Sequence, residues 1–367
     1  MSEIRAGDLV EVRSKEEILA TLDKQGRFDG MPLMPQMLRY CGMRFKVYKS
    51  AHKTCDPIYS MASRRVPGGV HLNLRCNGEA HGGCQVGCLL FWKGAWLKPL
   101  GPDGKAIPTE GTVEPRQSTG ACTEEDVIAA TRVHDAGDPG DVRYVCQTTE
   151  LPKFTTPLPW WNPRQYVEDY RSGNTTLKEM AHGAFYSVFV RYPTRLLPFR
   201  VIYNTFQALI GGKPSPVNWG HIPRGAPQPS SNLDLQPGEF VRIKPHAEIL
   251  DTLDRRNKNR GLFFDVEMVP FCGKIFRVRT RLDRFIDEKT GKMRSLKTPA
   301  VILEGVFCMS KFSKRRMYCP RELHSWWREV WLERVSEVEV AATGETVCTV
   351  KDLQARMRKL DAPVAAE

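Results

Sequence analysis

The chain contains the same unit twice, so whatever one copy folds into must be built a second time. Residues 7–47 laid over 238–278, with a constant offset of 231 and no gap, agree at fourteen of 41 positions. Chance gives about one match in fifteen to twenty, so the match marks a duplication. Among the identical pairs are Gly7 and Gly238, Leu22 and Leu253, Asp23 and Asp254, Cys41 and Cys272, and Phe45 and Phe276. With modest gaps the alignment continues: Cys76 meets Cys308, Cys84 meets Cys319, Trp92 meets Trp327 and Trp96 meets Trp331.

Each copy opens with alternating apolar residues, Leu9, Val10 and Val12 in the first and Phe240, Val241 and Ile243 in the second, the period of a half-buried strand. A short helical turn follows (Ile18, Leu19 and Leu22; Ile249, Leu250 and Leu253), then a glycine-bearing loop. Further strands come at 44–48 and 275–280, and at 70–74 and 300–306. Trp92 and Trp96 stand four apart, a helical spacing, and predict a closing helix with a buried aromatic face. The pattern predicts an α+β protein: two duplicated small SH3-like β-barrel units, each closed by a Trp-bearing helix, flanking a helical middle region.

The predicted boundaries are 1–100 for the first repeat, 101–235 for a linker and helical middle region, 236–340 for the second repeat and 341–367 for a C-terminal helix and disordered tail. Within the middle region, 177–210 is mostly apolar but interrupted by Arg191, Arg195, Arg200, Pro193 and Pro198. That density of charges and prolines excludes a simple spanning helix. A buried helical pair and an element lying on a membrane surface, a peripheral contact, both fit the pattern.

Chemistry concentrates at 76–96. Cys76-x4-His81-x2-Cys84-x3-Cys88 brings three thiols and an imidazole into thirteen residues, with Cys55 a short way upstream. Soft donors at such short hops can close round a tetrahedral ion, so Cys55, Cys76, His81, Cys84 and Cys88 are the candidate ligands of a structural zinc. The same thiolates could instead carry an iron–sulfur cluster, or simply pack as reduced core residues. Cys84 or Cys88 acting as a nucleophile with His81 as base has no third, orienting group, and no catalytic residue is assigned. In the second copy Cys272, Cys308, Cys319 and His324 form a possible second site, with Leu323 where the first copy has Cys88. Cys122 and Cys146 could complete a site with one of the repeats.

The formal charge is +12, and residues 271–334 hold sixteen Lys and Arg against seven Asp and Glu. Arg277, Arg279 and Arg281 alternate along a predicted strand, and Lys314, Arg315 and Arg316 follow later, interleaved with aromatics. Such a face suits nucleic acid, and its alternative is a solvated face plus an interdomain contact; nucleic acid or another protein is the expected partner. No phosphate-cradling, dinucleotide-binding or hydrolase-elbow motif is present, which leaves nucleotide-dependent and ordinary hydrolase mechanisms without support. No signal peptide opens the chain, and eleven cysteines without one point to a reducing, cytoplasmic compartment.

The stretches R-C-N-G-E-A-H-G-G-C-Q-V-G-C-L-L-F-W-K-G-A-W-L at 75–97, Y-V-C-Q-T-T-E-L at 144–151 and Y-C-P-R-E-L-H-S-W-W-R-E-V-W-L-E-R-V at 318–335 resemble a family of uncharacterised bacterial proteins. The resemblance implies that these stretches belong together and brings no activity with it. The expectation is a metal-binding, zinc-stabilised binding or assembly protein, its alternative an iron–sulfur or other metalloenzyme of a bacterial biosynthetic pathway.

Overall fold

A computed structural model describes residues 4–107, 122–135, 138–186, 197–209, 215–216, 218–313 and 315–343. Lys314 and the basic helix predicted at 350–360 lie outside the described residues. The chain divides into two compact units. Unit 1 is Met1–Leu177 with Arg284–Ser295 and Ser313–Glu322, and unit 2 is Lys178–Asp283 with Leu296–Phe312 and Leu323–Glu367.

The duplication is visible element by element. The strand Leu9–Val12 has its counterpart in Phe240–Ile243, the helix Lys15–Leu19 in His246–Leu250 and the 3-10 helix Pro35–Tyr40 in Val266–Phe271. Every one of these pairs keeps the offset of 231. Each copy also has the same internal brace. The indole Nε1 of Trp96 donates to the Thr21 hydroxyl at 3.0 Å, and that of Trp331 to the Thr252 hydroxyl at 2.8 Å. A buried indole N–H left unpaired would cost a desolvation penalty, so the Thr at that register is part of each core.

In unit 2, five antiparallel strands form one sheet in the order His324–Arg328, Ala300–Phe307, Ile275–Arg281, Phe240–Ile243, Leu332–Val335. Its core gathers Val241, Ile243, Ile249, Leu253, Val278, Leu303, Trp327 and Trp331. In unit 1 the equivalent strands are split between two three-stranded sheets. One holds Leu97–Leu100, Leu9–Val12 and Arg44–Lys46, and the other Lys49–Ser50, Gly69–His71 and Trp92–Lys93.

The expected closed SH3-like barrels are not formed. The two outer strands of the unit 2 sheet lie at opposite edges and do not pair, so the sheet stays open, and in unit 1 the ring is interrupted. The Trp-bearing helices are also corrected. Trp92 lies in a two-residue strand and Trp96 ends the 3-10 turn Gly94–Trp96, while Trp327 and Trp331 repeat the arrangement in the strand His324–Arg328 and the turn Glu329–Trp331. A strand followed by one tight turn also brings residues four apart to the same side, which is why the spacing resembles that of a helix.

The middle region is not wholly helical either. Besides helices Glu124–Ala129 and Arg164–Arg171 it holds the hairpin Arg132–Asp135 with Asp138–Tyr144, and the strand Thr156–Leu158, which pairs with Ala62–Arg65. Helices Leu177–Tyr186 and Leu197–Leu209 meet through Tyr186 and Tyr203, whose ring centroids are 5.9 Å apart. Among the described residues, no helix is long and apolar enough to cross a membrane.

Candidate metal centre

Three segments of unit 1 converge on one cavity: the loop after the strand Gly69–His71, the turn at 145–149, and the segment Arg284–Ser295. Cys76, His81, Cys84, Cys88, Cys146 and Glu288 all line it. It encloses about 40 Å³, whereas a water takes roughly 10–15 Å³ by that measure. The space is therefore larger than a lone ion requires.

Local hydrogen bonding folds the loop round this space. Cys76 N–H donates to the Cys88 carbonyl at 2.8 Å, making the two cysteines neighbours across a narrow bridge. The second copy keeps the bond, from Cys308 N–H to the Leu323 carbonyl at 2.8 Å, with leucine in place of the thiol. Between Cys76 and Cys88 the chain makes the 3-10 turn Glu79–His81, flanked by Gly78 and Gly82 at φ 75° and 61°. A side chain at Gly78 would put Cβ 2.0 Å from the Cys84 carbonyl oxygen, so only glycine closes this loop. Cys146 arrives from the middle region because Gln147 docks beside it. The Gln147 amide accepts from Phe91 N–H at 2.9 Å and donates to the Phe91 carbonyl at 2.8 Å.

The donors are oriented individually. His81 Nε2 donates to the Val145 carbonyl at 3.0 Å, which leaves Nδ1 as the acceptor, buried and without a hydrogen-bond partner. Tying one imidazole nitrogen to a backbone carbonyl while freeing the other is how a metal-ligating histidine is held. The sulfurs accept N–H groups: Cys76 from Gly78 and from Gln36 Nε2 at 3.2 Å, Cys84 from Val86 and Ile286. Burial outweighs these bonds and pushes the Cys76 thiol up to about 12, with Cys84 raised and Cys88 raised well above the ordinary range. In apolar surroundings these groups stay protonated until a Lewis acid displaces the proton. Cys146 is close enough for its charge to act on Cys76, Cys84 and Cys88 alike.

One buried cation stands beside the cavity. Arg321, 1% exposed, donates from Nη2 to Glu288 Oε1 at 2.8 Å and from Nη1 to the Cys55 carbonyl at 3.0 Å. Desolvation is the largest influence on its guanidinium, yet the neighbouring negative charge, Glu288 first, outweighs it and keeps the group firmly protonated. A buried guanidinium with a single carboxylate partner suits a neighbourhood that can gather further negative charge.

Of the residues singled out in the sequence, Cys76, His81, Cys84 and Cys88 are brought together. Cys55 is not with them: it lies in the strand Lys53–Asp56, and its thiol accepts from Cys319. Cys146 takes the place expected for Cys55, and no periodicity or spacing ties it to residues so far upstream. The second proposed set disperses. Cys272 packs against the unit 2 core, Cys308 Sγ lies 3.5 Å from the Ser310 hydroxyl, His324 contacts Arg279 and the Val306 carbonyl, and Cys319 belongs to unit 1. Among the described residues, no group of three or more His, Cys, Asp or Glu side chains is arranged to hold a metal ion.

The basic series is likewise divided. Arg277 and Arg279 are exposed on the strand Ile275–Arg281, with Arg277 donating to the Gly238 carbonyl and Arg281 paired with Asp234. Arg315 and Arg316 belong to unit 1. A wider cleft of about 280 Å³ is lined by Gln36 with Lys15, Arg39, Glu79 and Glu124, whose charges form two ion pairs, Lys15–Glu124 and Arg39–Glu79. No protein-family model and no curated protein matches the chain.

Proposed function

We propose that unit 1 is an iron–sulfur protein fold, with Cys76, Cys84, Cys88 and Cys146 as cluster ligands and one-electron transfer as the chemistry the cluster supplies. The observation that carries this reading is that four cysteines, Cys76, Cys84, Cys88 and Cys146, line one cavity. In a 4Fe–4S cluster each terminal thiolate binds its own iron, so the ligands stand farther apart than the four donors of a zinc site. The N–H groups on Cys76 and Cys84 and the buried Arg321 support the same reading. Thiolates on a cluster carry negative charge, and hydrogen bonds to sulfur together with a nearby cation stabilise it and tune its potential. Glu288, already engaged by Arg321, would remain outside the ligand set.

A zinc centre is the rival, favoured by the free Nδ1 of His81. One preparation separates the two: anaerobically purified, untagged protein analysed for iron, sulfide and zinc, with electron paramagnetic resonance after reduction. Brown protein with iron and acid-labile sulfide, lost in Cys146→Ser and retained in Cys55→Ser, is the expected result. Colourless protein with one zinc per chain, unaffected by Cys146→Ser but lost in His81→Ala, would overturn it.

A further inference from the structure

Cys55 and Cys319 are left over from the cavity, yet they are not independent of each other. Cys55 pairs with Ser63 in the hairpin of Lys53–Asp56 with Ala62–Arg65. Among the bonds that hold the segment Ser313–Glu322 across this hairpin, two lie one on each side of Cys319. The Ser63 hydroxyl donates to the Arg315 carbonyl at 3.1 Å, and Arg321 Nη1 donates to the Cys55 carbonyl at 3.0 Å. Between these anchors the Cys319 thiol donates to the Cys55 sulfur. Both residues are only 4% exposed, and both are reduced.

We propose that Cys55 and Cys319 are a redox pair that closes into a disulfide when the protein meets a hydroperoxide, fastening the segment Ser313–Glu322 to its hairpin. The chemistry needs one nucleophilic sulfur and one resolving thiol within reach. Cys55 is the nucleophile, since the Cys319 thiol donates to it and the guanidiniums of Arg321 and Arg316 face it, which together lower its proton affinity against the opposing effect of burial. The Cys55 thiolate attacks one peroxide oxygen. The O–O bond breaks, and Cys55 sulfenic acid and hydroxide form. That hydroxide takes the Cys319 proton and leaves as water, and the Cys319 thiolate attacks the Cys55 sulfur and displaces hydroxide, giving the disulfide. Two sulfurs lose one electron each, and the peroxide gains both. Hydrogen peroxide is hardly larger than water, so it suits a pair that bulkier disulfide reagents reach poorly.

This inference is independent of the cluster, and its test reads different cysteines. Full-length reduced protein is treated anaerobically with stoichiometric hydrogen peroxide, free thiols are blocked, and non-reduced peptides are mapped by mass spectrometry. The expected product is a Cys55–Cys319 linked peptide, with both thiols lost and a mass lower by two hydrogens, restored by dithiothreitol. In Cys319→Ala a dimedone-trapped sulfenic acid should remain on Cys55. Should this variant fail to fold, mapping of the unaltered chain decides alone. Oxidation confined to Cys76, Cys84, Cys88 and Cys146 while Cys55 and Cys319 stay reduced would overturn the proposal, as would Cys55 linked elsewhere. Absence of iron would leave the expected peptide unchanged, so this result and the cluster assay fail separately.

Discussion

The clearest physical statements come from single buried polar atoms. Gln36, buried at the start of the 3-10 helix Pro35–Tyr40, donates its amide to the Cys76 sulfur. If that sulfur is a metal ligand, the amide is its outer-shell support, and Gln36→Leu removes the bond while keeping the bulk. Such changes cost ~10–100-fold in metal affinity, so competition with a chelator should show iron leaving the variant at lower chelator concentration while the apo-protein melts much as before. His71 makes a different prediction. It is fully buried, donates from Nδ1 to the Leu90 carbonyl, and has no partner at Nε2. Desolvation holds its pKa near about 3 instead of 6.5, with Lys49, Arg75 and Arg321 lowering it further against the bond to Leu90. The unfolded chain takes up the proton first, so the stability contributed by neutral His71 is complete above pH 6.5 and is lost progressively down to about pH 3. His71→Gln should flatten this part of the acid limb in urea denaturation followed against pH. An unchanged limb would mean that the imidazole is protonated in the folded state.

At the scale of elements, the duplication makes an internal control available. The turns Gly94–Trp96 and Glu329–Trp331 each place a tryptophan whose indole is satisfied by a threonine hydroxyl from the helical corner. Thr252→Val and Thr21→Val keep shape and delete the hydroxyl, which accepts from the indole and donates to the Ile249 or Ile18 carbonyl, leaving a buried N–H unpaired at a cost of about 1–3 kcal/mol each. Equal losses of urea midpoint per unit are expected if the two copies are mechanically equivalent. A threonine-to-serine change at either site should recover most of the loss, since the hydroxyl returns. The sequence made these elements legible where residues repeat: the strand openings, the corner helices and the register of both tryptophans follow from the aligned copies. It misled where one short spacing fits two geometries. Trp92 and Trp96 satisfy a helical period and equally a strand followed by a tight turn, and nothing local distinguishes them. Barrel closure depends on whether edge strands meet, which side-chain alternation does not encode.

For the whole molecule, the candidate centre is assembled from parts distant in the chain, and that is why the sequence groups Cys76, Cys84 and Cys88 but offers Cys146 only as a residue that could complete a site. Short hops between Cys76, His81, Cys84 and Cys88 announce a shared site, whereas Cys146 joins through the docking of Gln147 on the Phe91 backbone. Cys55, nearer in sequence, is directed away by the strand Lys53–Asp56 toward Cys319. A ligand bound to such a centre couples three separate segments, and anything that binds the folded state alone stabilises what it touches. Hydrogen exchange compared with and without iron and sulfide should therefore show slower exchange at the amides of Gly78 and Val86, at Phe91 and Val145, and at Ile286, together rather than singly. Strand Phe240–Ile243, in the copy that carries Leu323 in place of Cys88, should exchange at the same rate in both states. Protection confined to 76–88 would mean that the local loop alone holds the metal, and Cys146 would then be a packing residue and no ligand.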